Sequence, residues 1–324
     1  MRPSSHSSVV LVALASVLAG YSRDVSTLEP AAFPTSGEVF ADGFAPGIGF
    51  QGFSGSKTDA LSIDATTAHS GLSSLKVLVP APGDPSGGYA GGAFVATVAR
   101  DLRQYNALTF WAKGSIAAKL NVAGLGNDNT GTSKYSAERS AIQLTTAWTK
   151  YTLPIPLAAK LAVEKGMFFF AEGAEEGVGY TIWFDDIRFE TLTTISNVRP
   201  TIPPSSQTAE VGAAVTITGT TVTSRVDGVD QTMSVSPNYF TYISSNPAVA
   251  TVSASGAITV VGAGTTNVTA ALGETAASGT VALRAVVAPA LAAPTPTRPA
   301  ADVISLFSGA YTNVTVDTWS AGFD

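Results

Sequence analysis

Apolar and polar residues alternate with a period of two in short runs along most of this 324-residue chain, and the runs stop at Gly, Pro, Asn and Asp. Over residues 38–192 the runs are EVFADGF, ALSIDAT, SLKVLVP, GAFVATV, ALTFWAKG, AKLNVAGLG, AIQLTT, TKYTLPI, KGMFFFAEG and YTIWFDDIRFE. Turn-rich pieces such as APGDPSGG and GNDNTGTS separate them. About ten strands with loops of varied length predict an all-β fold, an antiparallel jelly-roll β-sandwich of two sheets. Helical spacing is confined to 101–105 and 157–164, and LAAKLAVE, between Pro156 and Gly166, is the one candidate helix.

The pattern changes after residue 192. SNVRPTIPPSS holds three prolines and no alternating run, which predicts an interdomain hinge over 193–206. Residues 207–286 return to strand character in AAVTITGT, NYFTYISS, AVATVS, AITVVGAGTTNVTAAL and GTVALRAVV, the spacing of a second, smaller β-sandwich. An Ala/Pro/Thr linker is expected over 287–301. Residues 302–324 carry Leu306, Phe307, Tyr311, Trp319 and Phe323, more apolar surface than so short a piece buries alone. They read as the start of a truncated further β-module.

At the other end, the apolar run over 9–18 suits a secretory leader and is too short to span a bilayer. Residues 1–21 are therefore expected to be a signal peptide and 22–37 a tether. Leu18, Ala19 and Gly20 resemble the lipobox of bacterial lipoproteins, but Tyr21 stands where the lipidated cysteine belongs, so lipidation there is excluded. The expectation is an exported protein, secreted or at the cell surface, that meets a membrane only through an uncleaved leader.

Composition narrows the chemistry. A net charge of -6 without a basic block argues against nucleic acid as a partner. With no cysteine and with His6 and His69 as the two histidines, thiol catalysis, a Ser-His-Asp triad and a multi-histidine zinc site have almost nothing to draw on. Catalysis would need paired carboxylates. Glu172, Glu175 and Glu176 cluster in AEGAEEGVG, and Glu138 and Glu164 are further candidates, but a solvated Gly-rich turn is the ordinary account of such a cluster. The chain is expected not to be an enzyme, and to be a monomer.

Several segments carry a family resemblance. VFADGF, AHSGLSSLKV, ALTFWAKG, TTAWTKYTLPIP and YTIWFDDIRFE together resemble the galactose-binding-like jelly rolls found among carbohydrate-binding modules of bacterial glycan-degrading proteins. YISSNPAVATVSASGAITVVGAGTTNVTAAL resembles the group 2 bacterial immunoglobulin-like domain, with Tyr242 where that family has tryptophan. DVISLFSGAYTNVTVDTWSAGFD is similar to a module that follows such domains in laminarinase-type glycoside hydrolases and surface lipoproteins, though the Glu-x-Asp-x-x-Glu pattern of their catalytic strands is absent. The resemblance implies non-catalytic binding of polysaccharide that targets an attached glycan-degrading domain. The competing class is a surface adhesion or stalk protein with no glycan binding.

Glycan binding needs flat rings and a few amides or charges. In ALTFWAKG the strand period sets Trp111 and Lys113 on the wetter side, and Gln51, Tyr89, Asn127, Asp128 and Tyr135 on loops or strand ends are expected to join them, against the alternative that these rings pack the sandwich. The continuous run Phe168, Phe169, Phe170 reads as core. The resemblance also implies a structural calcium site at Asp42, the backbone of residues 69–71, and Asp185 or Asp186. Strand parity sends the last two to opposite faces, which favours Asp185.

Overall fold

The computed structural model describes residues 32–288, 296–306 and 309–315. The leader and most of the tether lie outside the described residues, as do Phe307, Trp319 and Phe323.

The first sandwich is built from β1 (Glu38–Phe40), β2 (Ile48–Gly52), β3 (Leu61–Asp64), β4 (Ser74–Val79), β5 (Ala90–Arg100), β6 (Ala107–Gly114), β7 (Ala118–Leu125), β8 (Ala137–Leu144), β9 (Thr149–Pro154), β10 (Glu164–Glu172) and β11 (Tyr180–Glu190). One sheet runs β3-β4-β11-β6-β9 with β1 on β11, and the facing sheet runs β8-β7-β10-β5-β2. Alternation sends Leu108, Phe110 and Phe184 inward from the first sheet and Phe94, Phe168 and Phe170 inward from the second, all buried. Phe110 and Phe168 meet across the layer with ring centroids 5.3 Å apart.

All three phenylalanines of β10 are buried, but they do not share a face. Phe169 points to the outer side of its sheet, where Phe53 stands 6.4 Å away, and Gly124 is kept bare by its ring, which a Cβ there would meet at 2.5 Å. The candidate helix is a single tight turn over Ala158–Lys160, and Glu164 already begins β10. The following Leu161 spends its carbonyl on the amide of Leu102, 2.9 Å away, which draws the chain back to the sandwich before a second turn forms.

The tether is shorter than its composition predicts. The carbonyls of Pro34 and Gly37 accept the amides of Asp101 and Phe189, and the carbonyl of Ser36 accepts the Arg100 guanidinium at 2.8 Å, so residues 34–37 are part of the first sandwich.

The larger correction concerns the hinge. Residues Ile195–Thr201 form a strand, β12, despite Pro200. It is an edge strand, the one place in a sheet where a missing N–H is tolerated. It pairs with β15 (Thr221–Val226), which pairs with β16 (Val229–Val235), and β16 pairs with β8 through Ser234 opposite Glu138 and Val235 opposite Ala137. One eight-stranded sheet, β12-β15-β16-β8-β7-β10-β5-β2, therefore crosses the boundary between the two domains.

The rest of the second domain is a sandwich of two small sheets. Their strands are β13 (Ser205–Glu210), β14 (Ala214–Thr216), β17 (Thr241–Ser244), β18 (Ala250–Val252), β19 (Ala257–Val260), β20 (Gly264–Leu272), β21 (Thr275–Ala276) and β22 (Val281–Val286). β13-β22-β20-β17, with β21 on β20, faces β14-β19-β18. Beyond it, residues 296–306 and 309–315 hold one short pairing, Ser305 with Asn313.

Candidate functional site

The outer face of the sheet β8-β7-β10-β5-β2 carries an open groove of mixed polar and apolar lining. A basin of about 580 Å³ is lined by Gln51 on β2, Val95 and Thr97 on β5, Lys165 on β10, and Asp128, Thr130 and Thr132 from the β7–β8 loop. A second basin of about 450 Å³ shares Asp128, Thr132 and Lys165 with it and continues to Tyr135, Lys160 and Glu164. Shared walls make one groove that starts at Gln51 and ends at the Tyr135 ring, over which Lys160 Nζ sits 5.8 Å from the centroid.

The loop that forms one wall is held from within. Asp128 Oδ1 accepts the hydroxyls of Thr130 at 2.7 Å and Ser133, and Asn127 Oδ1 accepts the amide of Asn129 at 2.9 Å. Burial works against ionising Asp128, yet the Ser133 and Thr130 hydroxyls and the Thr130 amide outweigh it and hold the carboxyl below its ordinary value. Glu164, at the foot of the second basin, accepts the amides of Lys165 and Gly166, but burial dominates and pushes it up to about 7. The groove thus presents Lys160 and Lys165 beside a carboxyl that stays largely protonated in mildly acidic solution.

The seven residues expected to bind together stand on different surfaces. Gln51, Asn127 and Asp128 belong to the groove or its loop, and Tyr135 closes it. Trp111 and Lys113 lie on the outer side of the other sheet, with the whole core between them and Gln51. Trp111 is covered by His69, and Lys113 Nζ lies 5.4 Å over the ring of Trp183, whose Nε1 donates to Asp64 Oδ2 at 2.8 Å. Tyr89 packs on the 53–57 turn, its hydroxyl donating to the carbonyl of Ser54 at 3.0 Å. Thr130, Thr132, Lys160 and Lys165 were not legible as site residues, because the turn over 158–160 and the fold of the 127–134 loop bring them in from distant positions.

The aspartates expected at a calcium site do gather round residues 69–73, and parity fails among them. Asp186 has φ +47° at a bulge in β11, so Asp185 and Asp186 both reach the loop. Asp185 Oδ2 accepts the amides of His69 at 2.8 Å and Ser70 at 3.2 Å, and Asp186 Oδ2 takes the Ser70 hydroxyl at 2.8 Å and lies 3.1 Å from His69 Nδ1. Asp42 Oδ1 accepts the amides of Leu72 and Ser73. Calcium requires several oxygens aimed at one point. Here the carboxylates aim at N–H and O–H donors, and among the described residues no group of three or more His, Asp or Glu side chains is placed to hold a metal ion. The donor set does not fit calcium as arranged.

The first part of the chain is a two-sheet antiparallel jelly-roll β-sandwich with an open groove along one sheet. Residues 38–191 match the family model described as carbohydrate binding domain 30, and residues 237–274 match the intimin immunoglobulin-like domain. Residues 38–191 are thus similar to a carbohydrate-binding module and residues 237–274 to an immunoglobulin-like domain.

Among solved structures, the family 30 carbohydrate-binding module of a cellulosomal cellulase of Clostridium thermocellum is 18% identical, with 50% of this chain and 96% of that one covered at a TM-score of 0.31. A family 11 module from Clostridium thermocellum in complex with a β-1,3-1,4-mixed-linked tetrasaccharide is 13% identical, with 48% and 96% covered and a TM-score of 0.34. A β-1,2-glucanase from Parabacteroides distasonis is 13% identical, with 79% of this chain and 40% of that one covered and a TM-score of 0.34. No curated protein matches the chain significantly.

Proposed function

We propose that the chain binds a polysaccharide without cleaving it, in the groove between Gln51 and Tyr135 on the outer face of the β8-β7-β10-β5-β2 sheet. The observation that carries this reading is the sharing of Asp128, Thr132 and Lys165 by two adjoining basins, which gives one continuous open channel whose lining includes threonine hydroxyls, the Gln51 amide and lysine ammonium groups. Open, wet grooves of this kind bind weakly per site, and their use lies in raising the local concentration of something attached. The matched family model supports carbohydrate as the ligand class. In this reading the protein is exported, and the module serves a glycan-degrading domain elsewhere in the same polypeptide.

The test is retention of the chain on insoluble β-glucan, xylan, mannan and alginate, with and without calcium, beside the double variant Gln51→Ala with Lys165→Ala. Retention on one polymer that drops about tenfold in the double variant supports the groove and names its ligand. A folded chain that no polymer retains returns the protein to the adhesion or stalk class.

A further inference from the structure

We infer that the second domain is a working part of the glycan site: Tyr239 fixes the base of the 127–134 loop, and so positions the groove wall and the Tyr135 ring. This rests on the glycan-binding reading of the groove.

The loop leaves β7 at Gly126 and returns at Tyr135, where its two ends are pinched together. Gly126 has φ +79°, its amide donates to the carbonyl of Gly166 at 2.7 Å, and a Cβ there would stand 2.1 Å from the carbonyl oxygen of Tyr135. That carbonyl has its partner in the other domain. The hydroxyl of Tyr239 donates to it at 2.8 Å, and the Tyr239 ring meets the Tyr135 ring edge-on, centroids 5.4 Å apart. One residue further on, the amide of Ser236 donates to the carbonyl of Ser136 at 2.8 Å, and the β16–β8 pairing follows directly.

Tyr239 itself is fully buried, although it sits on a short turn over Pro237–Tyr239 between strands of the second domain. A phenol taken wholly out of water requires a partner for its hydroxyl, and the one it finds is the closing carbonyl of the ligand loop. Asp128, Thr130 and Thr132 are carried by that loop and line the groove, so any loosening at its base spreads the groove wall. Tyr239 does not line the groove and acts through its contact with Tyr135 and the loop, which makes it a positioning residue.

The experiment uses the full chain and compares Tyr239→Phe with Tyr242→Phe. The second variant deletes another half-buried hydroxyl of the same domain, one that donates to Pro237 and does not touch the loop. Glycan retention, amide hydrogen exchange over 127–134 and the melting temperature are measured on each. Tyr239→Phe is expected to weaken retention about three- to tenfold and to speed exchange in the loop, with a melting temperature close to wild type; Tyr242→Phe is expected to leave retention and loop exchange unchanged. Wild-type retention and loop exchange in Tyr239→Phe overturn the inference. Faster loop exchange with retention unchanged also overturns it, by separating the loop's anchorage from binding. If wild type itself is retained by no polymer, the glycan reading fails together with the positioning role, and loop exchange alone then reports whether Tyr239 holds the loop.

Discussion

The imidazole of His69 lies flat against the indole of Trp111, ring centroids 3.7 Å apart and planes 14° from parallel. Trp148 meets the same imidazole edge-on at 5.9 Å, and His69 is held in place by Asp186. The tryptophan that the strand pattern marks as ligand-facing is thereby roofed by the protein's own loop.

Trp111→Ala is therefore expected to cost about 2 kcal/mol of stability through the lost stack, and to leave glycan retention unchanged. Urea denaturation read beside retention on the preferred polymer checks both halves. Retention that falls with stability intact would move the binding face to the β6–β11 surface.

Gln51 is exposed on an edge strand at the far end of the groove from Tyr135, and among the described residues no hydrogen bond ties its side chain into the sandwich. Gln51→Ala is expected to weaken retention several-fold with less than about 0.5 kcal/mol change in stability. Affinity electrophoresis with a soluble form of the polymer gives the first quantity and a thermal melt the second.

Glu164 and Glu172 give the stability a definite pH slope. Burial is the leading cause in both, against opposing amide donors, and pushes them up to about 7 and about 6. The unfolded chain releases these protons near 4.5, so between about 4.5 and about 7 the folded state holds more protons than the unfolded one. Stability from these groups then falls as pH rises through that window and is level above it. Asp84 and Asp101, held near 2 by their own partners, act in the opposite sense but at lower pH. Denaturant midpoints from pH 4.5 to pH 8 are expected to decline, and Glu164→Gln to flatten the decline, gaining on wild type toward the alkaline end.

Gly126 combines a left-handed backbone with contact against Tyr135. Gly126→Ala is expected to destabilise the chain by about 2 kcal/mol or more and to weaken retention, because relieving the clash opens the base of the loop. Equilibrium unfolding and hydrogen exchange over 127–134 read the two effects separately. Gly131, also at positive φ but with open space where its Cβ would stand, is the control, and Gly131→Ala should strain only its own turn.

Much of this fold is written in local pattern. The alternation in SLKVLV, ALTFWAKG and YTIWFDDIRFE set Val77, Phe110 and Phe184 inward, because a pleated strand in a two-layer sandwich admits only one periodicity. YISSNPAVATVSASGAITVV was equally legible, since its turns fall at residues whose backbone conformation or side-chain hydrogen bonding demands them. The joining hairpin went unread, although Asp227 and Gly228, both at positive φ between Val226 and Val229, form an Asp-Gly turn. It was hidden among polar neighbours, and nothing local announces that its far strand will pair with β8.

What the sequence alone determined, then, is most strands of the first sandwich and of the 237–286 segment, the apolar side of each, and the turns within them, because these depend on steric and hydrophobic preferences a few residues long. Tertiary structure decided the rest. Prolines in SNVRPTIPPSS read as a hinge until β15 offered an edge for Ile195–Thr201 to pair with. Trp111 read as a ligand surface until a loop forty residues earlier laid His69 over it. Tyr135 and Tyr239 sit 104 positions apart, and their contact follows from the joining of two sheets, a pairing between partners too distant for any local pattern to encode.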